Sequence, residues 1–395
     1  MSKLSEVEQL ELIAPLNSLR EIVEQSPQLR NLAIHSLRGE ESPQALAPAR
    51  WDWEKVERVL VVRLRSIGDT VLSTPSLSAL KRFLTHAKID ILLEEWVAPV
   101  LTGSPHVDTV ITLERGSVAS RARVAARLRA NRYDVVYNLH GGTTATLLTR
   151  ATGATHRVGY QTYQYSWLHN HQSPSSSFLW GRDKTHSVEQ QLALLGWTGV
   201  PVSDRPATHL AVTEAADCKI AERLHAQGIE AAPFAVIHPA AAFETKQWAA
   251  SNFARVADKL AGEGLAIVAI SAANELPVVE ALKEDSAAEI LPLTNLSLPE
   301  VTALLARARL FVGNDSGIAH MAAAVETPVV VIFGSSNTAH WQPWARAPAE
   351  FVLEEMDCQP CHGYFCEKFE QPECIKRVPV DRVMAAIQRV LREST

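Results

Sequence analysis

Several features are missing from this chain, and each absence removes a class of function. No run of about eighteen apolar residues occurs, so no transmembrane helix is expected. The stretch Met1 to Glu21 mixes Glu, Lys and Leu at helical spacing. It has neither the basic-then-apolar layout of a secretory leader nor a small-residue cleavage site. Positive charge is not in excess: 38 Lys and Arg stand against 44 Asp and Glu, a formal net charge of −6. That argues against a nucleic-acid partner, which calls for a basic domain. No Asp-x-Asp occurs, so no catalytic metal or other required cofactor is expected. Cysteine is scarce, with five in 395 residues. Cys218 stands alone and is read as a small apolar residue buried in a helix. Cys358, Cys361, Cys366 and Cys374 cluster with the spacing C-x2-C-x4-C-x7-C. In a reduced compartment four thiolates suit zinc or an iron–sulfur cluster better than a disulfide framework, and such a site would be structural. The spacing matches neither standard pattern.

What is present is the composition of an ordinary globular protein, 47% hydrophobic and 21% charged, with length for two or three domains. The reading is of a cytoplasmic protein. A membrane-borne partner would then be met peripherally, at the cytoplasmic face of the inner membrane.

Residues 1–50 read as an accessory helical segment, with Leu10, Ile13, Leu16 and Leu19 at helical spacing and a linker near Ser42 to Pro48. The body alternates apolar strands with helices, which indicates parallel α/β sheets. Val59–Leu64, Ile89–Leu93, Thr109–Leu113 and Val135–Leu139 are the expected strands of a first Rossmann-like half, residues 51–200. The pattern restarts at Phe234–His238, Leu265–Ile270, Leu310–Val312 and Val329–Phe333, in a second half of residues 201–378. A last helix, within 379–395, is expected to pack back on the first half. Two such halves face each other across a cleft, and ligands bind beyond the carboxyl ends of strands.

Three motifs fall at strand ends. Arg63-Leu64-Arg65-Ser66-Ile67-Gly68-Asp69-Thr70 follows the first strand without a Gly-x-Gly-x-x-Gly fingerprint. Gly68 permits a tight turn there. Asp69 either takes a proton from an acceptor hydroxyl or caps the helix that starts there. His238-Pro239-Ala240-Ala241-Ala242-Phe243-Glu244-Thr245-Lys246-Gln247-Trp248 opens the second half. Lys246 is either a point charge for a phosphate or a solvated surface lysine, and Trp248 is read as core. In Gly313-Asn314-Asp315-Ser316-Gly317-Ile318-Ala319-His320 the backbone N–H groups of Ser316, Gly317 and Ile318 would point out of a helix N-terminus, a ready anion site. Gly317 leaves room for the anion, and Asp315 is read as a phosphate-loop residue or a helix cap. The loop Gly334 to Thr338 lies beside it.

Taken together these motifs resemble glycosyltransferase family 9, the ADP-heptose:lipopolysaccharide heptosyltransferases and their relatives. The resemblance runs from about Val56 to the C-terminus. It implies a GT-B fold with acceptor on the first half and donor on the second. It implies Asp69 as general base, and Lys246, Asp315, Ser316, Gly317, Ile318 and His320 as donor-binding. Glu275 sits where the family places a ribose-binding acid, and Leu296 near the adenine. Arg63, Arg65, Ser66 and Gly68 flank the base on the acceptor side. The implied reaction is inverting and metal-independent, moving a sugar, by family a heptose from ADP-heptose, to a lipopolysaccharide-type or other glycolipid or polysaccharide acceptor. The chain departs from the family at Ala240 and Ala241, where relatives carry Gly, Ser or Thr, and residues 1–50 fall outside the pattern.

Other stretches carry two readings each. Arg115, Arg121, Arg123, Arg127, Arg129 and Arg132 suit anionic lipid headgroups or simply form a solvated face. Tyr160, Tyr163, Tyr165 and Trp167 line a loop that touches acceptor sugars or packs on the surface. Two rival functions share this scaffold. A nucleotide-sugar epimerase would need a second acid at the donor sugar, and no motif supplies one. A catalytically silent glycan- or nucleotide-binding protein would keep donor binding without turnover.

Overall fold

The computed structural model describes residues 42–229, 232–361 and 364–394. Most of the accessory segment expected at 1–50 lies outside the described residues. The first sheet holds β1 (Arg58–Val62), β2 (Lys88–Glu94), β3 (Thr109–Leu113), β4 (Val135–Asn138), β5 (His156–Tyr160) and β6 (His171–Ser173). The second holds β7 (Phe234–His238), β8 (Ala266–Ser271), β9 (Ile290–Thr294), β10 (Leu310–Asn314), β11 (Val329–Phe333) and β12 (Ala349–Leu353). The strand orders are β3-β2-β1-β4-β5-β6 and β12-β11-β10-β7-β8-β9. All pairings are parallel. The two sheets therefore share one topology, and each reverses its winding once, between β1 and β4 and between β7 and β10. Those reversals are the points where doubly wound sheets leave a crevice for ligands.

Continuous apolar runs make the central strands. Parallel strands covered by helices on both faces have no solvent side, so alternation with polar residues is lost. Val59, Leu60, Val61 and Val62 are all fully buried. The period-two geometry of a strand still divides them. Val59 and Val61 join one core with Leu72 and Leu77, while Leu60 and Val62 join another with Val124 and Leu128.

The final helix, Val380–Glu393, corrects one expectation. It packs on β11, β12 and the helix Ala250–Gly262, within the second lobe and not back on the first. Val383, Ile387 and Val390 join the core around Trp248, Ile332 and Val352. Ion pairs from Arg389 to Glu350 (2.8 Å) and Arg382 to Glu354 (2.8 Å) pin its outer side to β12 and the chain just beyond it. A second correction concerns Cys218, which is exposed, because Ala216 and Ile220 are the residues that the helix Glu214–His225 turns inward.

The lobes meet along a polar seam. His209 N donates to Thr74 Oγ1 (3.0 Å), His186 Nε2 lies 2.7 Å from Gln342 O, and His340 Nδ1 lies 3.1 Å from Thr185 O. The short helix Ile67–Val71, which leaves β1, packs against the helix Gly317–Ala324, which leaves β10. The two switch points are thereby brought face to face.

Candidate active site

Where they face, a cleft of about 730 Å3 opens, lined by Ser66 to Asp69 from the first lobe and by Lys246, Glu275 and Asp315 to Ile318 from the second. Asp69 reaches it because the helix Ile67–Val71 starts directly after β1. Ser66, not Asp69, is the N-cap. The Asp69 carboxylate is the third residue of a capping box and accepts from Ser66 N (3.1 Å) and Ser66 Oγ (3.1 Å). Asp69 is thus not the N-cap that the sequence offered; its carboxylate completes the capping box from the third helical position while it also lines the cleft. Its other oxygen takes the guanidinium of Arg63, whose second nitrogen donates to Leu139 O. Burial pushes the Asp69 carboxyl up, but Arg63, the two Ser66 bonds and His320 outweigh it, and the group is held below the usual aspartate range. It is ionised at neutral pH, the state that a proton acceptor needs.

On the second lobe Lys246 is drawn in from the loop after β7. Its Nζ bonds Asp315 Oδ2 at 2.8 Å, and Ser336 Oγ bonds the same oxygen at 2.5 Å. Asp315 is nearly buried, so its charge serves to hold Lys246 and Ser336 in place. The helix Gly317–Ala324 has Ser316 as N-cap with no side-chain bond to its first turn, which leaves amides aimed at the cleft. Ser316 Oγ lies 3.3 Å from His238 Nδ1, and His238 Nε2 faces Glu275 at 3.8 Å. Glu275 is held below its ordinary value by His238 first and by the Ala272 N–H, against the opposing effect of burial. Leu296, with Leu293 and Leu298, forms an apolar wall beyond Glu275.

The glycines have a different role from the one their sequence suggests. Gly68 does not adopt a positive φ. A Cβ there would stand 2.7 Å from His320 Cδ2. A Cβ on Gly317 would meet Ile67 Cβ at 2.8 Å, in the opposite lobe. Both positions are small because two helices from different sheets touch there. His320 fills the contact, nearly buried, and burial keeps its imidazole below the ordinary histidine value, hence neutral.

Other expected residues sit apart. Arg65 is largely exposed and 3.7 Å from Glu94. The arginines of the helix Val118–Ala130 point outward to solvent and line no part of the cleft. Tyr160 and Tyr163 line a second cavity, whereas Tyr165 and Trp167 are exposed. Cys361 stands at the cleft rim, with its N–H on Ser335 O (2.9 Å) and its thiol on Cys358 O (3.1 Å). Burial and the neighbouring thiols push Cys361 and Cys374 up. Among the described residues no group of His, Cys, Asp or Glu has the arrangement of a metal site. Also lining the cleft are Trp96 after β2, which the sequence did not single out, and Ser336 and Asn337 of the Gly334 to Thr338 loop after β11, which it did. Their positions just past strand ends were the available signal.

This arrangement sets a carboxylate from one lobe in the same cleft as a lysine and a helix N-terminus from the other. A family model for glycosyltransferase family 9 (heptosyltransferase) matches residues 121–370. The chain is 30% identical over 344 residues to lipopolysaccharide heptosyltransferase 3 of Escherichia coli strain K12, covering 84% of this chain and 97% of that protein. The chain belongs to glycosyltransferase family 9. Lipopolysaccharide heptosyltransferase 1 of Pseudomonas aeruginosa is 24% identical over 369 residues, 85% of this chain and 98% of that protein. In fold this family 9 member matches a glycosyl transferase family 9 structure from Veillonella parvula, with a TM-score of 0.77, 22% identity, and 88% and 100% of the two chains covered. It also matches the E. coli ADP-heptose lps heptosyltransferase II, with a TM-score of 0.69, 22% identity, and 85% and 99% covered. The fold is GT-B, and the protein is a glycosyltransferase.

Proposed function

We propose that this glycosyltransferase moves a heptose from ADP-heptose, with inversion, to a hydroxyl of a lipopolysaccharide-type glycolipid at the cytoplasmic face of the inner membrane. The observation that carries the reading is that Asp69 and the amides of 316–318 line one cleft from opposite lobes. Relatives named as lipopolysaccharide heptosyltransferases support the sugar and acceptor. A fold neighbour, the E. coli ADP-heptose lps heptosyltransferase II, supports the donor. Among the described residues no helix is long and apolar enough to cross a membrane, so the glycolipid is reached from the surface.

Asp69 accepts the acceptor proton as the hydroxyl oxygen bonds to the anomeric carbon from the face opposite the diphosphate. Its low pKa makes it a weak base toward a free hydroxyl. The transfer therefore comes late, once bonding to an electron-poor sugar carbon has made that hydroxyl acidic. The diphosphate leaves with growing charge. Lys246 and the 316–318 amides meet that charge without reorganising, since Asp315 already holds the lysine. These groups perform the charge neutralisation for which other transferases use a metal, so turnover is independent of a divalent cation. Glu275 and the leucine wall suit the ribose and the base. Any metal at the four cysteines is structural.

Asp69→Asn tests the reading. With ADP-heptose and a lipopolysaccharide-type acceptor, transfer should fall by roughly 10²–10⁴-fold, while ADP affinity is retained. Transfer at the unmutated rate removes Asp69 as base. ADP binding without turnover by the unmutated protein would favour a silent binding protein.

A further inference from the structure

From Arg115 to Arg182 the chain has nine arginines, no lysine and a single acid, Asp134, although its formal net charge is −6. The geometry points to a membrane-docking face on the first lobe, built by the helices Val118–Ala130 and Gly142–Ala151 and by the loop after β5, that seats on an anionic phospholipid surface. The inference rests on the reading of a membrane-borne acceptor and names the surface that brings the protein to it.

The charge on this face is unanswered. Ser120, Val124 and Leu128 turn into the core, which leaves Arg121, Arg123, Arg127 and Arg129 exposed around the rest of their helix. In this stretch Arg182 is paired, with Glu189 at 2.6 Å. Among the described residues the four helix arginines and Arg150 reach no carboxylate. Asp134 does not answer them, because its carboxylate accepts from Glu57 N and Arg58 N at 2.9 Å each. The second lobe differs: Arg307, Arg382 and Arg389 lie 2.7, 2.8 and 2.8 Å from carboxylates. Arg129 lies against Gly153, where a Cβ would clash with its guanidinium, and Gly153 N donates to Arg150 O (3.3 Å). The charge therefore continues from one helix onto the end of the next.

Apolar side chains decide the partner. Val118 is 73% exposed, Leu147 52% and Trp167 74%, with Tyr165 exposed two residues before Trp167. Val118 and Leu147 stand on helices that pack together, and the short helix Ser166–Leu168 packs on the second of them. Thr143 Oγ1 donates to Gln164 Oε1 (2.7 Å) and Thr146 Oγ1 to Gln164 O (3.3 Å), which fixes the aromatic loop to that helix. RNA would meet the arginines and stack on Trp167, but it offers nothing to Val118 and Leu147. A bilayer interface takes all of them: phosphates for the guanidinium groups, the acyl boundary for the aliphatic side chains, the headgroup level for Tyr and Trp. Position agrees. Val118, Gly142 and Tyr165 follow the carboxyl ends of β3, β4 and β5, the same edge of the sheet from which Asp69 enters the cleft.

The test is co-sedimentation of the full chain with vesicles of phosphatidylglycerol and phosphatidylethanolamine, free of glycolipid and of nucleotide sugar. Its outcome stands apart from catalysis: absent binding leaves the transferase reading in place, and absent transfer leaves the docking face in place. The chain should bind these vesicles, release them as salt screens the charges, and bind vesicles of phosphatidylcholine alone far more weakly. Arg121→Gln, Arg129→Gln and Arg150→Gln together should weaken binding roughly 100-fold, at about fivefold per charge. Leu147→Gln should weaken it roughly tenfold, the low end for returning one such side chain to water. Removing three charges from exposed positions of the second lobe, by Arg255→Gln, Lys283→Gln and Lys376→Gln, should leave binding unchanged. No binding by the unmutated chain, equal binding by the first-lobe triple variant, or an equal loss in the second-lobe one overturns the inference. So does undiminished binding by Leu147→Gln, which would make the face a site for polyanions such as RNA.

Discussion

Gly68 and His320 touch across the two lobes, so closely that a methyl group on Gly68 would stand 2.7 Å from His320 Cδ2. The neighbouring pair, Ile67 and Gly317, is as tight. These contacts set the distance between Asp69, one residue along, and the helix amides expected to hold the diphosphate. Gly68→Ala should push the helices Ile67–Val71 and Gly317–Ala324 apart. Displacements of about 1 Å in such sites cost on the order of 100-fold, and overpacking costs about 1–3 kcal/mol. Steady-state kinetics and a thermal melt check both. Full activity with an unchanged melt would show that the lobes do not need this contact.

Arg63 holds the Asp69 carboxyl down against the burial that pushes it up. The acid limb of kcat/KM should therefore lie below the ordinary aspartate value of ~3.9, and activity should be level from pH 5 to 7 as far as Asp69 is concerned. In Arg63→Met the opposing charge is gone and burial dominates. The limb should then rise toward the neutral range. A pH–rate profile for both proteins decides it, and a limb that stays in place would mean that Arg63 does not set the base.

Much of this was legible in the sequence. The motifs after β1, β7 and β10 announce themselves because central parallel strands are unbroken apolar runs followed by glycine and short polar residues. Of the edge strands, β3 was read at Thr109–Leu113, but β6, β9 and β12 were not. β9 carries Pro292, which reads as a strand breaker but is tolerated in a strand at the sheet edge. β6 is three residues, His-Gln-Ser, with no apolar signature. The second cavity was equally hidden. Gln190 and His340 lie 150 residues apart, belong to no motif, and meet only because the lobes close. Gly68 and Gly317 drew attention for turn and anion reasons, while the contact that requires them is between elements 249 residues apart in the chain, which local sequence cannot express.

Lys246 and Asp315 form a nearly buried pair at 2.8 Å, with Ser336 on the same oxygen. Removing one partner leaves the other charge uncompensated, a loss of about 3–5 kcal/mol for deeply buried pairs and less here because Lys246 is partly exposed. Lys246→Met should weaken ADP binding at least roughly tenfold through the lost point charge. Asp315→Asn should weaken it less, because the lysine remains but is no longer aimed. The double variant should be less destabilised than the sum of the singles, with coupling of about 0.5–3 kcal/mol. Calorimetric ADP titration and urea unfolding measure these. Additive losses would mean that the pair is not a unit.

His186 ties the lobes by a different chemistry. Its Nδ1 accepts from Val188 N, capping the helix Ser187–Gly196, and its Nε2 bonds Gln342 O at 2.7 Å in the second lobe. The side chain is nearly buried, and burial lowers it to about 4. The sign follows from proton counting. Between pH 6.5 and 4 the unfolded chain holds a proton here and the folded one does not, so stability rises with pH across that window and is lost on acidification. From the ordinary value of about 6.5 down to pH 5 the loss from this group alone is about 2 kcal/mol. Urea midpoints should fall accordingly between pH 7 and pH 5. In His186→Asn, which keeps a cap acceptor but cannot titrate, that part of the fall should vanish. The variant should be less stable at pH 7 because the bond to Gln342 is lost, yet less sensitive to acid. An equal pH dependence in both proteins would assign the acid sensitivity to other histidines.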